Sequence, residues 1–231
     1  MHLGVDSPLS MGQVIATTVR LYGRRPVTYV AIGALSSAPQ LLISVAPLAV
    51  TIVVVALAFV AALAVTAALA EGEPLATLPR RLLPVAPVVA ALALAVGVPY
   101  ALPNWFAIFA LIQVIWLSLV GTSVPAAVLD DREGPVLVRV VNALRRSSAY
   151  SVNGLLHALA VVFALLVITG LFTAMVGVAL NSFGDQTATA AFFVARSVMV
   201  PLLYLGLAVL YADQCARHHE PGTAPSARAF P

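Results

Sequence analysis

The run from Pro26 to Ala70 contains no charged residue. As one helix it would rise ~1.5 Å per residue and extend to more than twice the ~30 Å of a bilayer's hydrocarbon core. The run must therefore turn back on itself, most simply near Ala46-Pro47. A chain that contains such a segment is expected to be an integral membrane protein.

Composition supports the membrane assignment. Hydrophobic residues make up 61% of the chain and charged residues only 9%, against roughly 25% charged residues in an ordinary soluble domain. The start, MHLGVDSPLS, lacks a basic region followed by an apolar core, so we expect no cleaved signal peptide. The net charge of +3 comes from arginines at the ends of apolar segments, where anionic lipids are nearer partners than nucleic acid.

Three segments combine an apolar stripe at helical spacing with an arginine pair at the end. They are too short or too charged to cross ~30 Å of hydrocarbon, so each is predicted to be an amphipathic helix on the membrane surface. The segments are Ser7–Arg25, Glu73–Arg81 and Gly134–Ser148, and they end on Arg24 and Arg25, Arg80 and Arg81, and Arg145 and Arg146. The first of these helices has two candidate N-caps, Ser7 before Pro8 or Ser10 in a capping box with Gln13.

An apolar hairpin follows each amphipathic segment. The predicted fold is therefore an all-α membrane protein with about six transmembrane helices in three hairpins, within a single domain over residues 1–220 and a disordered tail over 221–231. The recurrence indicates either an internal triplication or simply the way that spans are joined on one side of a membrane. The predicted spans cover residues 26–46, 47–70, 82–101, 106–129, 152–179 and 190–211.

Orientation follows from the arginines. Eleven of the twelve lie before the first span, after the second or fourth span, or in the C-terminal tail. The positive-inside rule then places both termini in the cytoplasm. The arginine pairs either only set this topology or also gather at one cytoplasmic rim, where they bind anionic lipid or a partner's acidic surface.

Two stretches resemble a bacterial membrane-protein family named for the membrane domain of some glycerophosphoryl diester phosphodiesterases. The first is LSMGQVIATTVRLYGRRPVTYV near the start, and the second is LLYLGLAVLYADQ near the end. A third segment, VPAAVLDDREGPVLVRVVNALRRSS, is similar to the same family. The resemblance covers roughly Leu9–Glu220 and implies a six-helix membrane module.

In that family the hydrolase is a separate barrel whose sequence begins with a His-Arg-Gly motif. None of the histidines here, which are His2, His157, His218 and His219, is followed by Arg-Gly. No phosphodiesterase residue is carried over, and the sequence predicts neither an enzyme nor a cofactor.

A few polar residues interrupt the predicted spans. Arg196 is predicted either to contact a substrate or lipid head group inside the bundle, or to lie at the outer interface because its span starts near Val198. Asn153 and His157 are predicted to share one face of the fifth span. They form either a polar site in which His157 titrates near neutral pH, or a hydrogen-bonded contact with a neighbouring helix. Gln40 and Gln113 are expected to donate hydrogen bonds between helices.

The tail and loops contain no convincing catalytic or metal set. Cys215 and His219 are four residues apart, but adjacent His218 and His219 point in different directions on a helix, so a solvated tail end is expected. The acidic turn at Asp130–Glu133 does not resemble a paired-carboxylate site.

Two classes of function remain. The first is a non-catalytic membrane module that scaffolds, anchors or assists partner proteins or lipids, alone or as a homo-oligomer. The second is a transporter or permease-like unit, which proline-broken spans and intramembrane polar residues favour. A polar, water-accessible cavity would distinguish the second from the first.

Overall fold

The structure is a computed structural model that describes residues 7–44, 47–97, 107–129, 134–180 and 184–218. All regular structure in these ranges is helical, which confirms the predicted all-α class. Residues 98–101 of the predicted third span, the acidic turn at Asp130–Glu133, His2, His219 and the tail beyond residue 220 lie outside the described residues.

The first helix that the structure describes is α1, Met11–Arg24. Of its two candidate caps the structure has Ser10, which forms a capping box with Gln13. Pro26 then starts α2, Pro26–Ser37, in the position where a proline loses no hydrogen bond. The chain continues as a 3₁₀ segment, Ala38–Ser44, which contains Pro39, and returns as α3, Leu48–Ala70.

The middle of the chain has shorter helices. Its helices are α4, Leu78–Leu82, α5, Ala86–Leu92 with a π-helical turn at Ala93–Gly97, α6, Ala107–Val120, and α7, Ser123–Leu129. A π turn leaves a carbonyl outside the regular hydrogen-bond pattern. Trp116 Nε1 donates a 2.6 Å hydrogen bond to Ala95 O, which satisfies such a carbonyl.

The last helices that the structure describes are α8, Val136–Asn153, α9, Leu155–Leu180, and α10, Asp185–His218. The amphipathic helix α8 runs past its predicted end at Ser148 to Gly154, which caps it. The last helix begins before and ends after the predicted span 190–211, so residues 212–218 are helical rather than part of a polar tail.

Four helical segments are long and apolar enough to cross a membrane among the described residues. They are Ala49–Ala70, Leu111–Leu129, Leu155–Leu180 and Gln186–His218. The first and third correspond to the predicted second and fifth spans. The second span of this set includes both α6 and α7, and the fourth is α10. The structure is therefore that of a membrane protein, and the count of six spans stays a prediction.

The bundle is organised around the C-terminal half of α10. Every residue from Leu203 to Tyr211 is buried, because α10 packs against α1, α2, α3 and α9. Helix α2 comes closest at Gly33, where a Cβ atom would overlap the carbonyl oxygen of Ser197 and contact Pro201. Helix α1 and the segment before it contact widely separated parts of α10, since the Leu9 backbone N–H donates to Asp213 and Tyr22 donates to Val198 O.

Candidate functional site

Asp213 lies at the centre of a buried polar cluster near the end of α10. Its side chain is fully buried, and both carboxylate oxygens have donors. The backbone N–H of Leu9 donates to Oδ1 at 2.6 Å, and Arg217 Nε donates to Oδ2 at 2.9 Å. His157 Nε2 is 3.0 Å from the same Oδ2. These three side chains and the Leu9 backbone are called the Asp213 cluster below.

Local structure explains how the cluster forms. Asp213 and Arg217 are four residues apart on α10, with the acid nearer the N-terminus, which is the favourable order for such a pair. Arg217 Nη2 also donates to Leu9 O. The segment before α1 is thus bound through both its N–H and its C=O.

The groups of this cluster are arranged so that they hold parts of the chain together. A general base needs a proton acceptor directed at a substrate, whereas each oxygen of Asp213 already accepts from a group of the chain itself. His157 Nε2 also lies 3.4 Å from Arg217 Nη2. The cluster therefore joins the N-terminal segment, α9 and α10 at one point.

A second buried network begins at the next residue, Gln214. Gln214 Nε2 donates to Ser151 Oγ at 3.0 Å, and Gln214 Oε1 is 3.4 Å from Thr122 Oγ1. Thr122 and Ser147 share a 2.7 Å hydrogen bond, and Ser147 donates to Leu119 O. This Gln214 network connects α8 and α10 with the bend between α6 and α7, and its four side-chain members are all buried.

Two of the predicted arginines meet in an Arg–Glu cluster after the end of α3. Arg81 contacts Glu71 at 2.5 Å and Glu73 at 2.7 Å, and Arg25 Nη1 donates to Glu73 O at 3.0 Å. The Thr77 hydroxyl and the Arg81 guanidinium donate to the Glu73 carboxylate and hold its pKa below its usual value. Arg81 therefore pairs with two acids of the chain, and Arg25 bonds to the backbone of one of them.

The other predicted arginines lie on α1, α4 and α8. Arg24, Arg80 and Arg145 are exposed and Arg146 is half-buried. A common rim for all three pairs stays a prediction.

Arg196 lies about 16 Å along α10 from Asp185. The helix starts before Val198, at Asp185, and both predicted positions of Arg196, inside the bundle or at the outer interface, stay predictions. Arg196 is half-buried, with its guanidinium carbon 5.8 Å from the ring centroid of Phe192.

The predicted Asn153–His157 face is divided between two helices, and His157 contacts the neighbouring helix α10 at Asp213. Gly154 ends α8, and its backbone N–H donates to Ser151 O, so Asn153 closes one helix while His157 belongs to the next. Gln113 is buried in α6, and Gln40 is half-buried in the 3₁₀ segment beside Pro39.

The sequence interpretation missed Asp213, Gln214 and Arg217. All three were assigned to a polar tail because hydropathy falls after Tyr211. A usable signal existed, since the acid and Arg217 keep the i, i+4 spacing of the helix that precedes them.

No family model matches this chain, and it has no match among curated proteins or solved structures. The family resemblance of its two ends therefore stays a prediction. What the site does has to be inferred from its own contacts.

Proposed function

We propose that this chain is a non-catalytic, multi-pass module of the bacterial cytoplasmic membrane that scaffolds, anchors or assists partner proteins or lipids. The observation that carries the proposal is the internal use of buried polar groups. Asp213 and Gln214 are the most polar side chains among the buried residues near the end of α10, and their partners belong to the same chain. A substrate pathway would instead offer such groups to a ligand.

The transporter alternative has one structural argument in its favour. Irregular backbone occurs in the 3₁₀ segment at Pro39, in the π turn at Ala93–Gly97 and at the bend before Ser123. Transporters place substrate sites at such breaks. At the bend before Ser123, however, the nearby Thr122 hydroxyl bonds to Ser147.

Water access distinguishes the two functions. In a Cys215→Ala background, cysteines are introduced singly at Thr66 in α3 and Ser118 in α6, both of which are fully buried. A cysteine at exposed Gly134 serves as the labelled control. For a scaffolding module, a water-soluble, membrane-impermeant thiol reagent labels only the control in intact and inverted vesicles.

Labelling at Thr66→Cys or Ser118→Cys, from either side, would indicate a water-filled path and would favour the transporter. Monodisperse elution of each variant in mild detergent checks that the bundle still folds.

A further inference from the structure

The segment before α1 is attached to α10 through the backbone of one residue. The N–H of Leu9 donates to Asp213 Oδ1 at 2.6 Å, and the C=O of Leu9 accepts from Arg217 Nη2. The side chain of Leu9 packs against the core, whereas Ser7 and Ser10 on either side are exposed. The attachment of this segment therefore depends on where Asp213 holds the Arg217 side chain.

His157 shares one acceptor oxygen with Arg217. Arg217 Nε donates to Asp213 Oδ2 at 2.9 Å, and His157 Nε2 is 3.0 Å from the same oxygen. Since a carboxylate oxygen only accepts, Nε2 carries the hydrogen of the neutral ring, and a further proton would add at Nδ1. His157 Nε2 is also 3.4 Å from Arg217 Nη2. A positive charge on His157 would therefore lie directly beside the guanidinium of Arg217.

The charges around His157 come from one helix. In the part of the chain that the structure describes, the charges that act on this ring belong to Asp213 and Arg217, both on α10. Helix α9 also packs against α6, which has no ionisable side chain, and against α1 and α8. The other ionisable residues of these helices are Arg20, Tyr22 and Arg24 on α1, Arg139, Arg145, Arg146 and Tyr150 on α8, and Arg196, Tyr204, Tyr211, Cys215 and His218 with Asp185 on α10.

The balance of charge changes when His157 takes up a proton. With a neutral ring, Asp213 and Arg217 form a pair of one negative and one positive charge. With a protonated ring, two cations compete for one carboxylate oxygen, and their mutual repulsion opposes this arrangement. Asp213 is fully buried and has to keep a cation, whereas the Arg217 side chain is 32% exposed in the last turn of α10 and can turn into water. Arg217 is consequently the cation that leaves, and Leu9 O loses its donor.

We propose that protonation of His157 displaces Arg217 from Asp213 and releases the segment before α1 from α10. The chain then has a bound form with neutral His157 and a released form in which protonated His157 pairs with Asp213. Because the released form binds the proton better, a fall in pH shifts the population toward it. This switch goes beyond the proposed function and does not depend on it, since a scaffold and a transporter could each use it.

The test measures the mobility of the released segment. The full chain, with Cys215→Ala and a spin label on Ser7→Cys, is reconstituted in phosphatidylcholine vesicles. Electron paramagnetic resonance then gives the mobile fraction of the label between about pH 8 and pH 5, a range that includes the ordinary pKa of histidine, ~6.5. The mobile fraction should rise reversibly as the pH falls. A label on exposed Asn142 of α8 should not respond.

Two substitutions at His157 should have opposite effects. His157→Gln keeps an N–H donor for Asp213 but cannot take up a proton, so the Ser7 label should stay immobile at every pH. His157→Lys is positively charged over this range, so the label should be mobile at every pH. His218→Gln is the matched control, because it removes a histidine that stacks on Tyr150 at 4.6 Å. It should keep the response of the parent.

A Ser7 label that does not respond to pH in the parent would overturn the switch, and so would a response that persists in His157→Gln. A parallel change at Asn142 would show general unfolding instead of local release, and would also overturn it. Circular dichroism and monodisperse elution check the fold of each variant. If His157→Gln does not fold, His157→Lys decides, because an immobile label in that variant at pH 5 contradicts release by charge.

Discussion

At the scale of single residues, the cost of burying Asp213 is the central question. An ionised carboxylate removed from water loses several kcal/mol of solvation unless charges and hydrogen bonds replace it. Arg217, His157 and the Leu9 N–H supply that replacement. Since the three groups come from separate parts of the chain, their loss should loosen the packing of α1, α9 and α10.

Asp213→Asn is therefore expected to lower the free energy of unfolding by about 3 kcal/mol, because it removes the charge that compensates Arg217. Unfolding by a denaturing detergent in mixed micelles, followed by circular dichroism, measures the change. Arg217→Gln provides the second arm of a double-mutant cycle. The double variant should lose less than the sum of the two single variants, and strict additivity would show that the pair does not interact.

Glu73 gives stability a dependence on pH. Its pKa lies below the usual 4.5 because Thr77 and Arg81 donate to the carboxylate. The stabilisation is complete above the usual pKa and is lost as the pH falls through the lowered folded-state value. The melting temperature of the parent should therefore fall as the pH drops below the usual pKa of 4.5.

Thr77→Val removes the larger of the two hydrogen bonds' effects on the pKa of Glu73 and leaves the ion pair between Arg81 and Glu73 in place. In that variant the fall should be smaller than in the parent and should end at a higher pH, and in Glu73→Gln it should be smaller still. If the melting temperatures of all three proteins depend on pH in the same way, Thr77 and Arg81 do not lower the pKa of the Glu73 carboxylate.

The sequence predicted these residues unevenly. Arg25 and Arg81 were recognised because they end amphipathic stretches, which is a local pattern. Asp213 was missed because its importance comes from Leu9 and His157, which are distant in the chain and brought near only by packing. Hydropathy measures the average of a window and does not record such pairings.

At the scale of helices, Gly33 and Pro201 explain how α2 approaches α10. Pro201 has no N–H, so the carbonyl of Ser197, four residues earlier, lacks its usual helical donor. Gly33 faces that carbonyl without a side chain, and close approach at a small residue is a common way for membrane helices to pack.

Gly33→Ala should consequently force the two backbones apart and destabilise the protein by about 1–3 kcal/mol. Gly170→Ala in α9 is the matched control, because a Cβ there meets nothing within 4 Å. That control should be neutral or should stabilise the helix by up to ~1 kcal/mol. The same detergent titration compares the two, and equal stabilities would contradict the close contact.

Helix boundaries were predicted well where the composition changes sharply, and poorly where a single residue sets the end of a helix. The beginning of α2 at Pro26 and the end of α3 at Ala70 coincide with charges in the sequence. Gly154 lies between two helical patterns with no change in charge, so α8 and α9 were divided in the wrong place.

At the scale of the whole molecule, apolar length and arginine position predicted a helical membrane protein, whereas the arrangement of helices around α10 was not predictable. Any of several helices is apolar enough to occupy the centre. The choice depends on small residues such as Gly33 and Gly206, where helices or side chains come close. Arginine position gives a different kind of information, namely which side of the membrane each loop occupies.

The arginine distribution predicts six spans with both termini in the cytoplasm, because segments rich in arginine are retained there. Reporter fusions after Glu71, Glu133 and Glu220 should report a cytoplasmic location, and fusions near Pro103 and Asp185 an external one.

Of these sites Pro103 is the most informative. If the α5 segment, which is shorter than a full span, entered the membrane without crossing it, Pro103 would report cytoplasm. The α6–α7 segment would then have to begin on the cytoplasmic side and cross outward, which would place Glu133 and its neighbouring arginines outside. Those arginines oppose such a crossing, so a cytoplasmic signal at Pro103 together with an external one at Glu133 would refute the six-span topology.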